Sequence, residues 1–174
     1  MADIIKDRQV VADTWQLLKP AADKTLPAVP PDGDVIVPLA QWLAQRAALT
    51  ERRGRLGVWL GSQDEPGVIA DDLACFEVIA VNFPQFIDGQ GYSIARLLRE
   101  RHHWQGELRA IGDVFRETMF YLSRCGFNAF ALRPGEDAHA ALAGFDDFSE
   151  AYQVSVERPQ PLFRRRLTQG ATRV

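Results

Sequence analysis

The chain has 174 residues, 47% hydrophobic and 25% charged, with a formal net charge of −3; this suits one globular domain and excludes disordered and fibrous classes. The charge is uneven: residues 158–174 hold Arg158, Arg164, Arg165, Arg166 and Arg173 and no acid, so the remainder has 15 bases against 23 acids, a body of −8 beside a tail of +5. Such a body lacks the basic face that duplex nucleic acid requires, and no apolar run is long enough to cross a membrane.

The opening MADIIKDRQVVAD carries acids where a secretion signal needs a basic and then an apolar stretch. A cytoplasmic protein with no nucleic-acid and no membrane partner is expected. Ile4-Ile5 and Val10-Val11 flank the turn-like Lys6-Asp7-Arg8 and predict a β-hairpin arm. Pro20, Pro27, Pro30 and Pro31 then mark a linker that continues neither a helix nor a central strand, so residues 1–33 form an N-terminal arm and linker.

From residue 34 one grammar repeats. DVIVPL precedes LAQWLAQRAALTERR, RLGVWLG precedes DEPGVIADDL, FEVIAVNF precedes YSIARLLRERHHW, ELRAIG precedes DVFRETMFYLSRCG, and FNAFALR precedes EDAHAALAGF. About five βα units over residues 34–157 predict an α/β fold on a mainly parallel sheet, followed by a basic tail over 158–174. The strand runs are apolar almost throughout, as when helices cover both faces. An open, doubly wound sheet and a partial (β/α) barrel share this pattern; five units are too few to close an eight-stranded barrel, which favours the open sheet.

Asp113 suits the N-cap of a helix from Val114, Ser93 that of a helix near Ile94, and Gly126 a C-terminal stop. Ile94, Leu97, Leu98 and Trp104 predict one apolar helix face, and Phe115, Met119 and Leu122 a second. Cys75 and Cys125 lie fifty positions apart among apolar residues, which reads as two buried thiols. They form no CxxC, and His102-His103 are adjacent, not at chelating spacing, so no metal site is expected. The basic tail reads as a solvated terminus or as a grip for an acidic partner.

In parallel sheets ligands bind beyond the carboxyl ends of the strands. Gly61-Ser62, Asn82, Gly112-Asp113 and Arg133-Pro134-Gly135 are placed there. The loop from Asn82 to Ser93 is the unusual segment: Gly89 and Gly91 would let backbone N–H groups converge beside Tyr92, Ser93 and a helix N-terminus, with Arg96, Arg99 and Arg109 as cationic partners for a small anion. An N-capping turn whose aromatics cover the sheet edge accounts for the same residues. Asp88 and Asp113 are the carboxylates at that mouth suited to acid–base work. With no GxGxxG, no P-loop and no nucleophile elbow, no cofactor is implied.

The run FPQFIDGQGYSIARLLRERHHWQGELRAIGDVFRETMFYLSRCGFNAFAL resembles a bacterial domain-of-unknown-function family, number 934, whose members are often labelled oxidoreductases of sulfite reduction. Its strings fall on Asp88, Gly89, Gly91, Tyr92, Ser93, Arg96, Arg99, Arg101, Arg109, Gly112, Asp113, Arg124, Cys125 and Gly126; the family's arginine is replaced here by Gln90. The resemblance implies a place in sulfur assimilation and cysteine biosynthesis. Two functions follow as expectations: an accessory protein that binds sulfite reductase or another sulfur-assimilation protein, or a small-oxyanion enzyme, an oxidoreductase by label, with its site at the strand ends.

Overall fold

The computed structural model describes residues 3–148 and 150–170. Eight strands form one sheet: β1 (Asp3–Lys6), β2 (Gln9–Ala12), β3 (Gln16–Leu17), β4 (Val35–Pro38), β5 (Leu56–Leu60), β6 (Val78–Phe83), β7 (Glu107–Gly112) and β8 (Ala129–Phe130). Their order is β2-β1-β8-β7-β6-β5-β4-β3. From β3 to β8 every neighbouring pair is parallel. β1 runs antiparallel to both β2 and β8. The sheet is open, mostly parallel and curled into a half-barrel.

The chain itself requires that curl. Only Asp13, Thr14 and Trp15 separate β2 on one edge from β3 on the other. Four Cα–Cα steps reach at most about 15 Å, whereas seven strand spacings laid flat would span about 34 Å. The two edges therefore bend toward each other, and the connecting segment becomes a strap across the concave side.

The helices are α1 (Leu39–Thr50), α2 (Gln90–Arg96), α3 (Arg116–Arg124), α4 (Ala138–Ala141) and α5 (Leu162–Gly170). A 3-10 stretch, Pro66–Cys75, stands between β5 and β6 where a helix was expected, and a π turn, Leu97–Arg101, extends α2. From β4 to β8 each strand is laid beside its predecessor, so right-handed crossovers put the helices on one face. This corrects the expectation of helices on both faces and of a doubly wound order, which needs a reversal that this strand order lacks. The convex core joins Val35, Val37, Val58, Ile79, Val81 and Leu108 to Trp42, Ile69, Leu98, Met119 and Leu122.

The concave face is different in kind. Ile36, Val78, Ala80 and Ile111 are covered by Trp15, Leu17 and Trp59 from the strap and the sheet itself. Trp59 Nε1 donates to Leu18 O at 2.8 Å. Arg109, 2% exposed, points to this side; Nη1 donates to both Asp13 carboxylate oxygens at 3.0 Å and Nε to Glu107 Oε1 at 2.7 Å. Lys6 Nζ closes the chain 2.8 Å from Glu107 Oε2. The segment ahead of Pro20 thus contributes a strand, β3, and a half-buried anchor, Asp13.

Candidate functional site

The strand ends were expected to carry the site. Gly112 has φ +97, and a Cβ there would lie 2.3 Å from Phe83 O, so only glycine fits this exit from β7. The turn points Asp113 across the mouth. Its Oδ2 accepts from Phe86 N at 3.0 Å, and Oδ1 accepts from Arg133 Nη1 at 3.0 Å. Arg133 also donates from Nε to Glu136 Oε1 at 3.0 Å and stacks 4.2 Å over the Phe115 ring, which meets Phe86 edge-on at 5.7 Å. Asp113 thus ties two loops together. It is not the N-cap: α3 starts at Arg116, where Thr118 Oγ1 donates to Phe115 O at 2.7 Å.

The loop Pro84–Gly89 leads into α2 at Gln90, three residues before the expected Ser93 cap. Asp88 Oδ1 accepts from Gln90 N at 3.2 Å, a local turn bond. Gly89 has φ −75 and Gly91 is helical, so neither supplies the positive φ of an anion nest. Gly91 is small for another reason: a Cβ would sit 2.6 Å from the Phe83 ring, so glycine lets α2 approach β6 closely. Tyr92, half-buried, lies against Phe83 at 5.1 Å and Tyr121 at 4.9 Å, and burial raises its hydroxyl pKa. Ser93 is exposed on the helix surface.

The three candidate arginines do not converge on this loop. Arg96 forms an exposed i, i+4 pair with Glu100, Nη2 to Oε1 at 2.7 Å, which raises its pKa further. Arg99 lies ten residues, about 15 Å, along the helix from Gly89. There it donates to Gly126 O, Trp104 O, Gly106 O and Asn128 Oδ1, clasping the segments that enter β7 and β8. Burial lowers its pKa. Arg109 is the concave-face anchor already described.

Cys125 is buried and its thiol pKa is raised by that burial, whereas Cys75 is exposed, which corrects the expectation of two buried thiols. Among the described residues no three His, Cys, Asp or Glu side chains form a metal-binding group. No helix there is long and apolar enough to cross a membrane. Leu97, expected on a buried face, is exposed, as are Phe86, Ile87 and Tyr121. These four apolar side chains occupy the loop before α2 and the adjoining helices.

Residues 57–163 match the sequence profile of a family described as bacterial protein of unknown function, DUF934. The chain belongs to that family. No curated protein and no solved structure matches it. The DUF934 match runs from β5 to the start of α5 and so contains the whole mouth and the exposed Phe86, Ile87, Leu97 and Tyr121, while the strap and Asp13 lie before it. Sequence reasoning missed Arg133 as the partner of Asp113. The signal was present in Arg133-Pro134-Gly135, but only the β7–β8 pairing brings it to the next strand end.

Proposed function

We propose that this DUF934 protein is an accessory component of assimilatory sulfite reduction that acts by docking on a protein partner, with sulfite reductase as the partner to test. What supports docking is the exposure of Ile87 (71%) and Phe86 (53%) in the loop before α2 and of Tyr121 (55%) on α3, whose ring meets Tyr92 of α2. Large apolar side chains grouped on a surface mark interaction sites, and aromatics dominate interface energetics. What supports sulfite reduction is the resemblance carried by the DG-x-G-YS and RCGF strings.

The test is size-exclusion chromatography of the protein mixed with the sulfite reductase of the same genome, with absorption recorded across both peaks. Co-elution is expected, and Ile87→Asp should abolish it without changing the circular dichroism spectrum. Separate elution of the wild-type proteins would sink this reading.

A further inference from the structure

We propose that a cleft between the β1–β2 turn, α3 and residues 145–148 and 151–158 binds a small organic anion, an oxyanion group carried on a flat apolar body. This cleft lies by the amino end of β8, where Asp7 meets Asn128, whereas the mouth lies beyond the carboxyl ends of the strands, and it is independent of the docking reading. Its volume is ≈ 250 Å³, and its lining includes Arg8, Arg124 and Arg158 together with Phe120, Phe145 and Phe148. Two of the guanidinium groups are held against rings, Arg8 at 5.0 Å from Phe145 and Arg124 at 5.8 Å from Phe120. Stacking of this sort fixes the plane of a guanidinium while leaving its edge donors able to meet an oxyanion. Phe148 lies 5.0 Å from Phe120 and offers an exposed aromatic wall for an apolar body.

Arg8 is the residue that points to a ligand. It is the second residue of a two-residue hairpin loop, Asp7-Arg8, with φ +49 and +62. Positive φ at both positions is the type I′ geometry, whose second position is glycine's by default. A long side chain there carries strain, and strain of this sort gathers at functional sites. The turn is also pinned: Asp7 N donates to Asn128 O at 2.8 Å and Asn128 Nδ2 donates to Asp7 Oδ1 at 3.0 Å.

The ion pair Arg8 makes does little to offset that strain. Its ion pair with Asp146 spans 3.5 Å between side chains 52% and 82% exposed, a pair of the sort that adds little stability. Arg158 reaches Glu150 only at 3.6 Å. Both separations exceed the roughly 2.7–2.9 Å of a charge-assisted hydrogen bond, which a bound oxyanion would supply. Arg124 donates from Nη2 to Gln153 O at 3.0 Å, which holds the outer wall in place. The carboxylates in the lining are Asp146 and Glu157, two against three arginines.

The test is calorimetric titration of the full chain, at fixed chloride, with phenyl phosphate, benzoate and inorganic phosphate, repeated on Arg8→Gly and Arg158→Gln. Saturable one-site binding of phenyl phosphate or benzoate is expected, tighter than that of inorganic phosphate. The better of the two tells a phosphate group from a carboxylate. Each variant should weaken it about tenfold or more. Arg8→Gly should keep or raise the thermal midpoint, because glycine relieves the positive φ. Should Arg8→Gly disturb the turn, Arg158→Gln decides, since its side chain is half exposed. Absence of wild-type binding tighter than about 1 mM, or binding unchanged in both variants, would overturn the proposal.

Discussion

The two faces of the sheet solve the same problem by opposite means. On the convex face, helices bury Leu98, Met119 and Leu122 against alternate strand residues, and stability there comes from non-directional apolar burial. On the concave face a strap of a few residues replaces whole helices, and its half-buried Asp13 is tied to the buried pair Arg109 and Glu107, which the part-exposed Lys6 closes at the rim. Apolar packing tolerates small losses, because neighbours can relax. A buried ion pair does not, because removing one member leaves its partner desolvated and short of a counter-charge. The lesson is that the smaller interface depends on fewer and more exacting contacts.

The largest expected effect therefore comes from Arg109→Ala. It leaves Glu107, 5% exposed, with Lys6 as its remaining cation and Asp13, 18% exposed, with none, and should cost about 3 kcal/mol, a large part of the roughly 5–15 kcal/mol that holds an ordinary domain. Urea unfolding measures it. A loss below about 1 kcal/mol would mean that the strap is held by Trp15 and Leu17 packing alone, and the contrast between the faces would vanish.

A middle-sized effect tests the convex face. In an exposed helix Gly→Ala gains up to ~1 kcal/mol. At Gly91 the added methyl would meet the Phe83 ring at 2.6 Å, and that ring is confined by Tyr92 and Phe127. Overpacking of about 1–3 kcal/mol should outweigh the gain, so Gly91→Ala is expected to lower the thermal midpoint. A raised midpoint would show that α2 can shift outward and that its close approach to β6 is not constrained.

These residues also mark how far the sequence could be read. The mainly parallel α/β class was legible because each of β4 to β7 is a compact apolar run followed by a helical or 3-10 stretch. The strap was not legible: Asp13 is a lone acid between the apolar residues Val10-Val11-Ala12 and Trp15, and its partner Arg109 stands 96 positions away. Asp113 and Gly91 were misread for a common reason. Each had a local explanation, a helix cap and an anion nest, while its actual role is set by Arg133 and Phe83 on other elements. Arg99 follows the same rule, since its acceptors Gly126 and Asn128 arrive only when β8 is laid beside β7. Arg8 was seen as part of a turn, but its positive φ follows from the two-residue length of the loop, fixed by the pairing of Lys6 with Gln9.

The smallest expected effect lies at the rim of the concave face and carries a pH signature. Arg55 stacks 4.9 Å over Trp15 of the strap and pairs with Asp34, whose Oδ1 also accepts from Arg55 N at 2.9 Å. These bonds to Arg55 hold the Asp34 carboxyl below its ordinary range. A carboxylate whose folded pKa is lowered contributes stability above the unfolded value of about 3.9 and loses it as pH falls through the folded pKa. Asp34→Asn should therefore cost about 0.5–1 kcal/mol near neutral pH, the scale of an exposed pair strengthened by a backbone bond. The gap between wild type and variant should stay constant down to about pH 5 and close below about pH 4. A gap independent of pH would mean that Asp34 acts through the geometry of its backbone bond to Arg55, and that the strap's edge, unlike its centre at Arg109, is held without charge.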